Sequence, residues 1–348
     1  MYRNSTEAFY SCLDLILING QKINTRGEEV IEILSQHLVI EKPWERVIVA
    51  PHRENSIFAT IAEAIWVIAG RNDLEYLSFY LPIAAEFSDD GKTWRAGYGK
   101  RLRNWSGKID QVKEILNIFL KDRNTRRGVM SIFNPSEDFI ESKDIPCNNW
   151  IQFLVRNEQL LMNIAVRSND IVWGFSGINL FEWSVLQEMM AFWLGASIGH
   201  SNYFIGSLHL YKRHYERASK IIQKRKELSI YDFGFNNVNF GTRFQDLENT
   251  LGVWFEIENK IRSEKVNISR EMQNINDEFL RLSLQMVYIY NCYQRKSGAK
   301  EIFSLISDLP ICDFKIAAFE FFFRQFKSKD LSLLTKQEVD FFKYYWDI

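Results

Sequence analysis

Between residues 128 and 208 the chain spells out three strand-length runs, a long helix and a fourth strand, and few folds accommodate that order. The runs 128–133 (GVMSIF), 150–155 (WIQFLV) and 160–166 (LLMNIAV) are short and rich in apolar, β-branched and aromatic residues, the composition of strands buried on at least one face. Asn157-Glu158 supplies the turn between the last two. A long apolar helix is expected over about Leu180–Leu194. The run 201–208 returns to strand character and leads into His209 and Tyr211. Together these pieces predict an α+β fold, a mostly antiparallel, twisted sheet packed with helices.

Outside that stretch, 57–69 (IFATIAEAIWVIA) is apolar nearly all round, with Asn55 or Ser56 as cap and Gly70 as stop, and belongs in the core. A second helix is expected from about 109 to 121. From residue 216 onward the composition shifts toward Lys, Glu, Asn and Phe, with helical periods such as MQNINDEFLRLSLQMVYIY. The expected organisation is an α+β core over 1–215 and a mostly helical C-terminal region over 216–348 packed on it. The N-terminal MYRNSTEAFYSCLDLILING is interrupted by Cys12, Asp14 and Asn19 and lacks the continuous apolar segment of a secretory leader. No apolar run approaches the roughly 18 residues that span a membrane, so a cytoplasmic protein is expected. None of the four cysteines is spaced C-x-x-C, so no metal site or redox pair is indicated. A formal net charge of -1 provides no broad basic field for a nucleic acid.

Local chemistry is better marked. Cys147 lies in D-I-P-C-N-N (144–149), just ahead of a strand. A lone cysteine is most simply a buried structural residue; its polar surroundings argue otherwise. Arg126-Arg127 precede one strand and Arg167-Ser168 close another, so each offers forked donors for a phosphate or carboxylate. Those arginines are expected to lower the Cys147 pKa from about 8.5. Glu63 lies inside an apolar helix, where a carboxylate is costly unless satisfied, and reads as a proton carrier of raised pKa. His209 and Tyr211, with His214 beyond, end an apolar strand where a sugar hydroxyl can be held.

In order along residues 20–215, the segments A-E-A-I-W (62–66), D-D-G-K-T-W-R-A-G-Y-G-K-R-L-R (89–103), R-R-G-V-M-S-I-F-N-P (126–135), D-I-P-C (144–147), R-S-N-D-I-V-W-G (167–174), L-Q-E-M-M-A (186–191) and S-L-H-L-Y-K-R-H (207–214) resemble the thymidylate synthase superfamily, which includes the pyrimidine nucleotide hydroxymethylases. The resemblance implies a thymidylate synthase-like fold and a one-carbon transfer to carbon 5 of a pyrimidine nucleoside monophosphate, with dUMP the first substrate to test. It implies 5,10-methylenetetrahydrofolate as co-substrate and Cys147 as the nucleophile. Arg26, Arg167 and Ser168 match phosphate ligands. Arg126 and Arg127 match arginines that reach the partner's site in a homodimer. Asn179 matches the base reader, His209 and Tyr211 the sugar ligands, and Glu63, Tyr98 and Asp170 the proton-relay and folate-side residues.

The sequence also departs from that pattern. Asn148 follows the nucleophile where His is usual, and Val166 stands where Gln is usual. One extra residue separates Gly174 from Asn179, and the terminal YYWDI is unlike the family's short apolar closing tail. Exclusion of water decides whether the product is methyl or hydroxymethyl, and the changed tail leans toward hydroxymethyl. An Asn amide suits the uracil edge, with cytosine as the alternative. Two other readings stand beside this one: a nucleotide-binding protein without turnover, and an enzyme acting on a base within a polymer.

Overall fold

The structure, a computed structural model, describes residues 1–263 and 266–348. It divides into two compact units, Met1–Trp44 with Ala62–Ser219, and Glu45–Ile61 with Lys220–Ile348. The chain thus visits the second unit early, returns to the first, and commits to the second only at Lys220.

The first unit is built on one six-stranded sheet. Its strands are β1 (Gln21–Thr25), β2 (Glu28–Ile40), β3 (Val129–Ser131), β4 (Asn148–Arg156), β5 (Gln159–Asp170) and β6 (Ser197–Tyr211), in the order β1-β2-β6-β5-β4-β3. Every neighbouring pair is antiparallel except β5–β6, which is parallel. The sheet is therefore mostly antiparallel, and the fold is α+β as expected. Asn157 and Glu158 join β4 to β5 with φ of 49° and 59°, the left-handed pair of a tight hairpin turn that follows the twist of its strands. A parallel pair needs a crossover, and the helix after β5 provides it.

The helices of this unit are α1 (Ser5–Asn19), α2 (Ile57–Ile68, which begins in the second unit), α3 (Leu74–Tyr80), α4 (Tyr98–Arg103), α5 (Gln111–Lys121), α6 (Pro135–Asp138) and α7 (Leu180–Leu194). The crossover helix α7 is buried at thirteen of its fifteen positions, which explains why it is apolar all round. It lies against the inward residues of β5 and β6, among them Met162, Ile164, Tyr203 and Ile205, all at most 1% exposed. Gln187 fixes it there by donating to the carbonyls of Leu160 and Gly199 at 2.8 and 3.0 Å, while accepting from Ser201. The N-terminal segment forms α1, capped by Asn4, with Ala8, Phe9, Leu13 and Ile16 buried.

The other face of the sheet is more open. An amide ladder crosses it: Asn163 Nδ2 donates to Gln152 at 3.1 Å and Asn202 Nδ2 donates to Asn163 at 2.9 Å. His37 stacks on Phe204 beside it, with ring centroids 4.7 Å apart.

The second unit is helical and aromatic. It contains α9 (Leu247–Ser263), α10 (Ile268–Glu271), α11 (Glu278–Gln294), α12 (Ala299–Ser307), α13 (Asp313–Gln325) and α14 (Lys336–Trp346), reached through α8 (Tyr215–Gln223). Its early segment is bound into it by specific contacts. Arg46 is 2% exposed and donates to the Val238 carbonyl at 2.9 Å, the Val47 N–H donates to the Tyr231 hydroxyl at 2.9 Å, and Phe58 packs on Tyr290, Phe321 and Phe322. A buried ion pair, Lys315 to Glu338 at 3.1 Å, joins α13 to α14. No helix among the described residues is long and apolar enough to cross a membrane.

Candidate active site

Cys147 stands at the step from a loop into β4, half-buried. The loop is strapped from behind by Arg167 of β5. Its backbone N–H donates to the Cys147 carbonyl at 2.8 Å, its Nε to the Pro146 carbonyl at 2.8 Å and its Nη2 to the Ile145 carbonyl at 2.9 Å. The same Nη2 lies 3.8 Å from Cys147 Sγ. Arg26, in the turn between β1 and β2, also acts on the thiol through its positive charge. Two arginines beside a nucleophile were expected to lower its pKa. The structure corrects that: burial pushes the thiol up, Arg167 and Arg26 only partly offset it, and Asp144 and Asp170 push the same way as burial.

The front of the loop is held just as firmly. Asp144 accepts from the Ala96 N–H at 2.8 Å, and Arg95 donates to the Asp144 carbonyl at 2.7 Å and to Asp138 at 2.8 Å. Asp138 also takes a forked pair from Arg101 at 2.6 and 2.8 Å. Burial would raise the Asp138 pKa, but hydrogen bonds from Arg101, Asn134 and Arg95 outweigh it and hold the carboxyl below its usual range. Side chains on both sides of Cys147 are thus fixed before any ligand arrives, which is what a reacting centre requires.

Tyr98 opens α4 and faces Asn148. The Asn148 Oδ1 accepts the Trp183 indole N–H at 3.2 Å, and Tyr98 packs on that indole with ring centroids 5.3 Å apart. Where the family pattern has a titratable imidazole, this chain has a neutral amide tied to a tryptophan. At the ends of β5 and β6, register does the positioning: Asp170 pairs with His209 and Ser168 with Ser207. The His209 ring meets Tyr211 edge-on at 5.1 Å. Burial lowers the His209 pKa more than the Asp170 charge raises it, so the imidazole is neutral at neutral pH.

Asp170 Oδ1 accepts from the Val172 and Trp173 N–H groups at 2.8 and 3.2 Å and so starts the turn Ile171–Asn179. That turn is π-helical, with i→i+5 bonding. It absorbs the extra residue between Gly174 and Asn179, because a wider turn takes in one residue without shifting the helix that follows. Asp170 Oδ2 keeps its acceptor capacity, and Trp173 beside it is 42% exposed. A carboxylate next to an open indole suits the N–H groups and flat ring of a pterin.

Two acids complete the set, Glu63 half-buried and Glu182 fully buried. Glu63 of α2 has its pKa pushed up to about 8 by burial. Glu182 of α7 is 1% exposed, accepts from Asn179 Nδ2 at 2.7 Å, and is raised well above the ordinary range by burial and by the negative charge of Glu63. Glu182 is absent from the residues singled out in the sequence, although the signal was there. It is an acid inside an apolar helix, L-F-E-W-S-V-L, the same anomaly that marked Glu63.

Electrostatics and register therefore bring Cys147, Arg167, Arg26, Asp170, Tyr98, His209 and Tyr211 into one neighbourhood. Asn179 and Glu182 form a buried wall near Tyr98, and half-buried Glu63 acts electrostatically on Glu182. Arg126 and Arg127 are not part of it: both are exposed, and among the described residues neither guanidinium makes a hydrogen bond or ion pair.

Comparison with known proteins agrees with this geometry. The thymidylate synthase family model matches residues 7–250. A deoxyuridylate hydroxymethyltransferase of Bacillus phage SP01 is 27% identical over 92% of both chains. A protein of the same name from Delftia phage PhiW-14 is 28% identical over 68% of both. A putative thymidylate synthase of Methanococcoides burtonii is 27% identical over 64% of this chain and 93% of its own. A match that spans both edges of the sheet, the Cys147 loop and the crossover helix makes this chain a member of the thymidylate synthase family.

Proposed function

We propose that the protein hydroxymethylates carbon 5 of dUMP through a covalent adduct at Cys147, with methylenetetrahydrofolate as co-substrate. The observation that carries the reading is the Cys147 thiol 3.8 Å from Arg167 Nη2, on a loop strapped from both sides. The hydroxymethyl product is supported by the names of the phage relatives, one of them aligned over 92% of both chains.

The residues divide the work as follows. Arg167, Arg26 and Ser168 bind the phosphate, and the guanidinium charge nearest the sulfur favours its ionised form. Addition of Sγ to carbon 6 moves an electron pair toward oxygen 4 and makes carbon 5 nucleophilic. Asn179 and the neutral acid Glu63 stabilise the developing oxyanion by hydrogen bonding. His209 and Tyr211 hold the sugar, and Asp170 with Trp173 supports the pterin. Methylenetetrahydrofolate, when bound, supplies the one-carbon unit at the oxidation level of formaldehyde. Once carbon 5 has taken that unit and lost its proton, the bond from the transferred carbon to the folate nitrogen breaks and leaves an exocyclic methylene; water adds to that methylene, and the resulting enolate expels the Cys147 thiolate from carbon 6.

The deciding experiment follows tritium release from carbon 5 of labelled dUMP, dCMP, UMP and CMP, with the mass of the product. Release from dUMP with a gain of one CH2O unit is the expected result. A gain of CH2 with formation of dihydrofolate would instead make the enzyme a methylating thymidylate synthase. No release from any of the four would sink the proposal in favour of binding without turnover.

The active form is proposed to be a homodimer formed through the open sheet face, with Arg126 and Arg127 reaching the partner's phosphate site. Phe204 and Leu34 are 42% and 61% exposed there, more than a lone soluble sheet face ordinarily leaves uncovered. Sedimentation should give twice the mass of one chain; a monomer that keeps full activity would rule this arrangement out.

A further inference from the structure

Glu182 is a buried acid without a cation. Its Oε1 accepts from Asn179 Nδ2 at 2.7 Å, and its Oε2 is buried without a hydrogen-bond partner. The neighbouring ionisable groups are Glu63, Tyr98 and Tyr203, and none of them is positive. Such a group weakens a core, and an apolar residue of similar volume would pack there at less cost. Its presence on α7, three residues past the proposed base reader, therefore calls for a role other than stability.

The two ends of an Asn amide differ: Oδ1 only accepts and Nδ2 only donates. Glu182 Oε1 is an acceptor, so it draws the Nδ2 end of Asn179 toward itself. A proton on Glu182 would sit on the unpartnered Oε2, since Oε1 already faces the Asn179 N–H, so Oε1 accepts in either form. Asn179 Oδ1 and the second Nδ2 hydrogen are then left for the ligand. Uracil presents a ring N–H and a carbonyl oxygen, which match that pair. Cytosine presents an unprotonated ring nitrogen and an amino group, which need the amide turned over, with Oδ1 pressed against Glu182.

We infer that Glu182 is the residue that sets base specificity, by locking the Asn179 amide in the orientation that reads uracil. This rests on the proposed function, in which Asn179 faces the base. Glu182 touches no ligand in this account; it is a positioning residue, and its signature is a change in the ratio of two substrates rather than in one rate.

The test is Glu182→Gln, a near-isosteric change whose amide can donate to Asn179 Oδ1 as readily as it can accept from Nδ2. Relative to wild type, the ratio of kcat/KM for dUMP to that for dCMP should fall by about tenfold or more, and the ratio of Kd for dUMP to that for dCMP should rise. An unchanged ratio in a variant that still turns over dUMP overturns the inference alone. A wild type that neither binds nor modifies any pyrimidine monophosphate overturns the proposed function and this inference with it. If the variant does not fold, a crystal structure of the wild type with dUMP decides. The ring N–H should meet Asn179 Oδ1 while Nδ2 bridges Glu182 and oxygen 4, and a complex in which Glu182 turns away from Asn179 is the overturning result.

Discussion

Cys147→Ser is expected to lower tritium release from carbon 5 of dUMP by on the order of 10^4 or more, while unfolding stability changes by less than about 1 kcal/mol. A serine hydroxyl in this place has no base to activate it. Asn148, the next residue, is an amide committed to Trp183, and the neutral His209 is engaged on the far side with Asp170 and Tyr211. The thiol is better off because it is intrinsically far more acidic and more nucleophilic than a serine hydroxyl, and Arg167 and Arg26 favour its thiolate against burial. Sγ supports nothing structural: the loop is held through the backbone of 145–147 and the Asp144 side chain. A variant that folds and does not turn over is therefore the expected outcome. A 5-fluoro analogue of dUMP, with no proton to lose at carbon 5, should leave a stable adduct on wild type that mass spectrometry detects, and none on the variant. Turnover by the serine variant within tenfold of wild type would remove Cys147 from the chemistry.

Glu63→Gln is expected to lower kcat by about 10^2- to 10^4-fold, the usual weight of a positioned general acid, with little change in KM for dUMP. Its pH profile carries the sharper signature. The acid is needed in its neutral form, and its pKa is pushed up to about 8, so wild-type kcat should decline as pH rises through about 8. The variant should show no such limb. Stability gives an independent reading. Between the ordinary carboxyl pKa of 4.5 and the raised value of about 8, the unfolded chain gives up a proton that the folded one keeps. Folding stability should therefore fall as pH rises across that window. Glu63→Gln should be the more stable protein at pH 9, by at most roughly 5 kcal/mol, and close to wild type at pH 5. Denaturant midpoints of both proteins at the two pH values would settle the point, and parallel pH dependence would show that Glu63 ionises normally.

Much of the fold was legible in the sequence where one physical signal dominated. Leu180–Leu194 is apolar because it is buried on nearly every side, and its ends fall where its composition changes. The three runs around Asn157-Glu158 became β3, β4 and β5, with β4 and β5 longer than their apolar centres, since hydrogen bonding continues past the last apolar residue to Asp170. The hairpin β1–β2 was less visible, because every residue of β1 is exposed and its polar composition carries no alternation. α1 went unread because Cys12 is a core residue there, while in the sequence it looked like an interruption. In the site, motif order located the strand-borne residues well. The pKa of Cys147 was not legible, since it depends on how much solvent the fold removes, and two arginines counted in a sequence say nothing of that. Glu182 was legible and passed over. Its partner is three residues away on the same helix, and the rule that found Glu63 applies to it unchanged.

The early visit of Glu45–Ile61 to the second unit has a consequence for how the protein is made. Arg46, Val47 and Phe58 find partners far downstream, in Val238, Phe279, Tyr231, Tyr290, Phe321 and Phe322. During synthesis this segment leaves the ribosome long before those residues exist, and its apolar side chains must wait while the sheet assembles on either side of it. The two parts of the helical unit are separated by residues 62–219, so its core can be completed only after those have been made. A nascent chain halted near residue 215 should hold a segment that chaperones bind, and release it once α13 has emerged.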